Sequence, residues 1–259
     1  MCGIHAVVSQ GISNLSEISP GLKQSLSCRG PDHFGQLHCQ VTDTEKKTVY
    51  LTFTSTVLAL RGDHVTAQPL RDAATGSVLC WNGEAWKIDG QGIQGNDAEA
   101  IMARLHIPET TIISTRESHI LGVLRSIEGP FAFLYYDSVA KRLYYGRDRL
   151  GRRSLLRYRS QDGQSMAFSS VADEPASGWE EVIADGVYSM HLDVSTETNG
   201  LWSTNGSISR HDWVFSADTD MVSAVAGFSD PCTHLCYGYE LTTVGLKYWS
   251  FQYGYAPVK

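Results

Sequence analysis

Behind Met1-Cys2-Gly3 the chain runs Ile4-His5-Ala6-Val7-Val8, an apolar stretch too short for a typical helix and dense enough to read as a strand buried on both faces. Chain ends are ordinarily frayed unless an element ties them down. Here a buried strand begins directly behind a thiol, so Cys2 is expected at a fixed place on the strand tip rather than on a loose terminus.

Strand signals dominate the rest of the chain. Thr48–Phe53, Val78–Trp81, Phe131–Tyr136 and Arg142–Tyr145 are rich in β-branched or aromatic residues and bounded by turn residues. The last two are joined by Asp137-Ser138-Val139-Ala140-Lys141, a hairpin connection. Helical patterns are few. Leu15–Leu26 has apolar residues near a 3.6 period, weakened by Pro20-Gly21. Asp97–Leu105 has an acidic first turn, and His119–Ile127 ends before Gly129-Pro130. Strands with few helices between them predict an α+β layered domain rather than a doubly wound sheet. The strand series closes with Val187–Leu192. Beyond Asp193 polar residues take over, so residues 2–193 are read as one domain and 194–259 as a C-terminal extension of poorly defined structure.

With 42% apolar and 19% charged residues, the composition is that of a globular protein. Net charge is -7 and no Lys/Arg block could track a phosphate backbone, which argues against a nucleic-acid partner. No apolar run nears the roughly 18 residues needed to span a bilayer, and the N-terminus has no secretory pattern. The cytoplasm is the expected compartment, with the six cysteines as reduced thiols. Cys28, Cys39 and Cys80 are expected to be small core fillers. Cys232 and Cys236 flank His234, a weak metal pattern with no second cluster.

If Met1 is removed, Cys2 carries both a thiol and a free α-amine. Reference pKa values are about 8.5 for the thiol and about 7.7–8.0 for the amine. Such an amine is substantially neutral near cytosolic pH, so it can accept the thiol proton and return it to a leaving group. A nucleophile of this kind attacks an amide carbonyl without a histidine, and none of the nine histidines sits in a recognisable catalytic motif. The tetrahedral oxyanion would need donors. Asn82 and the Gly83 N–H, at the end of a buried strand, can converge on one oxygen; the plainer reading is an Asn-Gly hairpin turn. Arg61 could fork a substrate carboxylate, and Asp97 could take an ammonium or simply balance a helix dipole.

Taken in order, Met1-Cys2-Gly3-Ile4, Arg29-Gly30-Pro31-Asp32, Trp81-Asn82-Gly83-Glu84 and Asn96-Asp97-Ala98-Glu99 resemble the class II glutamine amidotransferases. Arg-Gly-Pro-Asp points to the asparagine synthetase branch. Gly129–Phe133, Gly146–Leu156 and Trp179–Val182 look most like the asparagine synthetase domain-containing proteins of that branch. The resemblance implies a four-layer αββα N-terminal-nucleophile sandwich that hydrolyses L-glutamine to glutamate and ammonia through a γ-glutamyl thioester. It implies Cys2 as nucleophile and, through its amine, base. Asn82 and Gly83 would form the oxyanion hole, Arg61 would grip the glutamine carboxylate, and Asp97 with Gly83 and Glu84 would hold its ammonium. Arg29 and Asp32 are expected to fix the neighbouring loop rather than touch substrate.

No cofactor is implied for this step; ATP and Mg would enter only with a synthetase domain on another chain. Two departures stand out. The stretch between Arg61 and Gln68-Pro69-Leu70 is several residues shorter than in asparagine synthetases, and the synthetase Ser-Gly-Gly-x-Asp-Ser loop has only a poor echo at Ala226–Asp230. A shortened, weakly active or inactive family member serving as a binding or scaffold module is the alternative reading. A synthetase-domain partner and a homo-oligomer both stay open.

Overall fold

A computed structural model of the chain describes residues 1–10, 18–42, 48–173, 177–192, 208–214, 238–242 and 245–249. Two compact units are present, Met1–Trp213 and Val214–Lys259.

The first unit is built on two six-stranded antiparallel sheets. One contains β1 (Gly3–Ser9), β2 (His33–Thr42), β3 (Thr48–Val57), β11 (Leu156–Arg159), β12 (Ser165–Ser169) and β13 (Trp179–Glu181), in the order β13-β11-β12-β1-β3-β2. The other contains β4 (Leu70–Arg71), β5 (Val78–Gly83), β9 (Phe131–Asp137), β10 (Arg142–Arg147), β14 (Gly186–His191) and β15 (Ile208–Asp212), in the order β15-β14-β10-β9-β5-β4. A small sheet, β7-β6-β8, joins Gln91–Gly92 (β7), Lys87–Ile88 (β6) and Ile127–Glu128 (β8). The second unit shows one hairpin, β16 (Gly238–Thr242) with β17 (Gly245–Trp249).

The sheets face each other across a single apolar core. Ile4, Ala6 and Val8 of β1 and Val49, Leu51 and Phe53 of β3 belong to the same cluster as Val78, Cys80, Leu134 and Tyr145 of the opposite sheet. The period-2 alternation of the strands sends these residues inward, each side chain fully buried and worth about 1.5–3 kcal/mol where large. Helices cover the outer faces. On one side lies α1 (Pro20–Arg29), whose Leu26 carbonyl accepts from Thr56 Oγ1 of β3 at 2.7 Å. On the other side lie α2 (Asp97–Leu105) and α3 (Ile113–Arg125); Tyr135 of β9 donates from its hydroxyl to the Leu105 carbonyl at 3.3 Å. The expected four-layer αββα sandwich is the observed one.

The differences from the sequence reading are local. Pro20-Gly21 starts α1 instead of weakening it. Pro20 is the first helical residue, where its missing N–H is an orphan anyway, and Ser19 caps the end by accepting from Leu22 N at 3.1 Å. α3 begins six residues before His119, a start hidden because a charged residue, Arg116, occupies a core-facing position of its first turns. The strand series continues past β14: polar β15 pairs with it, so the boundary expected near 193 falls between two neighbouring strands of one sheet. Cys80 is a core residue and Cys39, half-buried on edge strand β2, packs against the core, but Cys28 is exposed on α1, contrary to expectation. Cys232, His234, Cys236 and Ala226–Asp230 lie outside the described residues.

His5 is buried on β1 with Nδ1 unpartnered, and burial pushes its imidazole down to about 4. The folded state therefore refuses a proton that the unfolded state accepts below about pH 6.5. Stability must fall as pH drops from about 6.5 towards 4, by roughly 2–3 kcal/mol at pH 4.5 from this group alone. Urea unfolding of His5→Gln at pH 7 and pH 4.5 should show a correspondingly smaller acid loss than the parent chain.

Candidate active site

Cys2 is held where β1 begins. Arg29, at the end of α1, donates from Nε to the Cys2 carbonyl at 3.1 Å, and its Nη2 reaches Met1 Sδ at 3.8 Å. Gly3 makes this closeness feasible: a Cβ there would lie 2.9 Å from Leu26 Cδ2. Past the end of β3, Leu58 N donates to Cys2 Sγ at 3.4 Å. Asp32 pins that same segment, Oδ2 accepting from Ala59 N at 2.8 Å. Arg29 and Asp32 thus brace the strand tip and the loop beside it. Burial pushes the Cys2 thiol above its ordinary range and Asp97 adds to the rise; the Leu58 N–H, the N-terminal charge and Arg153 oppose it.

Asn82 and Gly83 are the last residues of β5, paired with Ala132 and Phe131 of β9, and not a hairpin turn. Gly83 fits because a Cβ would stand 2.6 Å from Phe131 Cβ. Asn82 is fully buried. Its Nδ2 donates to Ser170 Oγ at 3.3 Å, while Oδ1 has no hydrogen-bond partner. A buried polar atom left without a partner costs about 1–3 kcal/mol. Ser170 is itself fixed: its Oγ accepts from Ile4 N at 3.1 Å and its N donates to the Ile4 carbonyl at 2.9 Å.

Asp97, the first residue of α2 and buried, accepts through Oδ2 from Trp81 Nε1 at 2.9 Å and Ala85 N at 2.8 Å. It ties the end of β5 to the start of α2, whose cap is Asn96. Glu84 follows Gly83 and donates from its backbone N to the Pro130 carbonyl at 2.9 Å. Arg61 lies beyond the end of β3, which stops at Val57. Its Nη1 donates to the Ala85 carbonyl at 2.5 Å and its Nη2 to the Ile93 carbonyl at 3.0 Å. The fork expected to be open to a carboxylate is thus held by two backbone carbonyls.

The short stretch after Arg61 is latched onto α2. His64 faces Asp63 at 2.7 Å and Glu99 at 3.0 Å, and Thr66 Oγ1 donates to Glu99 at 3.1 Å. Gln68 then turns inward, its Oε1 accepting from Trp81 N at 2.8 Å.

Cys2, Arg61, Asn82, Gly83, Glu84 and Asp97 all line one pocket, with about 550 Å³ of empty space including its open mouth. Met1, half-exposed, sits at the same pocket. Leu58, Gln68 and Arg153 also line it and were not identified from sequence. Leu58 acts through its backbone, which leaves no mark on residue type. Arg153 stands within Gly151-Arg152-Arg153, where adjacent arginines give no sign of which one turns inward.

The model of the glutamine amidotransferase domain family matches residues 1–177. The chain belongs to this family. The amidotransferase chain is 32% identical to asparagine synthetase domain-containing protein 1 of Bos taurus over 228 residues, covering 85% of this chain and 32% of the relative. To the Homo sapiens protein of the same name it is 33% identical over 196 residues, covering 74% and 28%. It spans about a third of the length of these curated relatives. Among solved structures, the glutamine phosphoribosylpyrophosphate amidotransferase of B. subtilis, complexed with ADP and GMP, shares 16% identity with a TM-score of 0.50, covering 82% of this amidotransferase chain and 49% of that one. That likeness is one of fold. Among the described residues, no helix is long and apolar enough to cross a membrane.

Proposed function

We propose that this domain is a glutaminase that hydrolyses L-glutamine to glutamate and ammonia, with Cys2 as nucleophile once Met1 has been removed. The α-amine then belongs to Cys2. It takes the thiol proton as Sγ bonds to the side-chain amide carbon, and returns it to the amide nitrogen as ammonia departs. Water then cleaves the γ-glutamyl thioester, restoring the thiol and releasing glutamate. Asn82 and the Gly83 N–H are assigned to the oxyanion, Asp97 and Glu84 to the substrate ammonium, and Arg61 to its carboxylate.

The observation that carries this reading is the convergence of all six residues, drawn from across 96 positions of sequence, on one pocket around a half-buried thiol. The raised thiol pKa favours a base next to the sulfur, which the freed amine supplies. By its resemblance to the asparagine synthetase branch, we assign the ammonia to asparagine formation, with ATP, Mg and the synthetase activity provided elsewhere. One observation favours a binding module instead: the Arg61 guanidinium is engaged by two carbonyls.

The deciding experiment is mass spectrometry of the purified chain before and after exposure to a diazo-ketone analogue of glutamine. Loss of Met1 and a single adduct on Cys2, blocked by excess glutamine, is the expected result. A retained or acetylated Met1, or labelling that glutamine does not protect, rejects the mechanism.

A further inference from the structure

Three arginines approach Cys2 or line its pocket, and they differ in what holds them. Arg29 is bound to the Cys2 carbonyl, and Arg61 to the carbonyls of Ala85 and Ile93. Arg153 lines the pocket beside Cys2, yet its guanidinium makes no hydrogen bond or ion pair among the described residues, and its Nε is buried without a partner. A guanidinium carries five donors in a fixed fork and cannot shed its charge. One left without an acceptor in a pocket is complementary to an anion.

The fold positions this residue with care. Arg147 and Asp148, both buried, build the loop that carries it. Arg147 donates from Nε to the Arg153 carbonyl at 2.6 Å and from Nη2 to the Gly151 carbonyl. Asp148 accepts from Phe131 N at 3.1 Å, Arg152 N at 3.0 Å and Arg152 Nε at 2.9 Å. Next to Arg153, Ser154 Oγ donates to the Ser170 carbonyl at 2.8 Å. The backbone is thus fastened on both sides of Arg153 while its head group has no partner among the described residues.

Of the pocket's anionic groups, the position of Arg153 favours the sulfur. Arg153 lines the same pocket as Cys2, whose carbonyl is already gripped by Arg29. Two arginines, one bound at Cys2 and one lining its pocket with no carboxylate bonded to it among the described residues, mark the place where negative charge is wanted.

We propose that Arg153 is the counter-cation of the Cys2 sulfur, a positioning residue that stabilises the thiolate as its proton leaves for the α-amine. The inference refines the glutaminase reading and rests on Cys2 being the nucleophile, but its test needs no turnover. Iodoacetamide alkylates a thiolate directly: the S–C bond forms, iodide leaves, and no glutamine has to bind. The rate of Cys2 alkylation against pH, followed on the Cys2 peptide of the full chain so that exposed Cys28 does not interfere, gives the thiol midpoint.

The expected result is a midpoint about one unit higher in Arg153→Met than in the parent chain, with Arg153→Lys restoring most of the difference. Arg153→Gln gives a second neutral variant should the methionine one not fold. A midpoint that is the same in the neutral variants, or an equal shift in Arg153→Lys, overturns the proposal; so does a raised KM for glutamine with an unmoved midpoint, which would make Arg153 the carboxylate clamp. Ammonia release by the parent chain, measured separately, reports on the glutaminase reading. If it is absent while the midpoints still shift, that reading fails and the role of Arg153 at the sulfur stands.

Discussion

Cys2→Ala is expected to release no ammonia from glutamine above the buffer blank, a loss of at least about 10³-fold, because removing a nucleophile that works as a unit with its base abolishes the covalent route. The variant should fold as the parent does. Alanine keeps the Cβ at the strand tip, the Cys2 carbonyl still accepts from Arg29, and only the weak sulfur contacts with Leu58 disappear. Melting temperature should therefore hold within about 2 °C, since this change falls in the ±0.5 kcal/mol class. Cys2→Ser should also be nearly inactive, because an amine with a pKa near 8 is a poor match for a hydroxyl. Equal ammonia release by Cys2→Ala and the parent would remove the enzyme reading altogether.

The largest effect on stability is expected far from the pocket. Arg116 of α3 and Asp137 at the end of β9 are 1% and 0% exposed, and they bond through Nη2–Oδ1 at 2.7 Å and Nε–Oδ2 at 3.0 Å. Arg116 Nη1 also donates to the carbonyls of Ile107 and Pro108, so one guanidinium holds the approach to α3 and the end of central strand β9 together. Arg116→Met leaves a carboxylate buried without its cation, which typically costs about 3–5 kcal/mol. For a unit of this size the melting temperature should fall by about 10 °C. Asp137→Asn should fall by less, since an amide oxygen still accepts from Val139 N and Ala140 N in the hairpin turn. Thermal melts of the two variants, with Cys2→Ala as control, test this. A loss below about 1 kcal/mol in Arg116→Met would show that the pair contributes little.

That pair also marks where sequence reasoning reaches its limit. Asp97–Leu105 was legible as a helix to the residue because its cap, acidic first turn and apolar spacing agree. The strands with continuous apolar or aromatic runs were legible for the same reason. Arg116 worked against its own helix, because a charge at a buried position breaks the periodicity that reveals a helix face. β15, Ile-Ser-Arg-His-Asp, is a polar edge strand whose place is set by pairing with β14, and no local pattern announces it. Five of the six pocket residues fall in the ordered motifs, while Arg61 stands outside them and was reached as a cation able to fork a carboxylate. Their partners escaped notice because Leu58 contributes a backbone N–H, Gln68 an amide oxygen, and Arg153 one of two adjacent cations.

Ser170 gives the sandwich a property beyond its static geometry. Its hydroxyl oxygen accepts one hydrogen bond from Ile4 N of the strand next to Cys2 and another from the Asn82 amide of the facing sheet. Sliding of the two layers over each other would have to break that shared acceptor first. On the proposed roles of Cys2 and Asn82, the spacing between sulfur and oxyanion donor depends on shear across the sandwich, so a distant core substitution that shifts one sheet by even an ångström should detune the chemistry without touching the pocket.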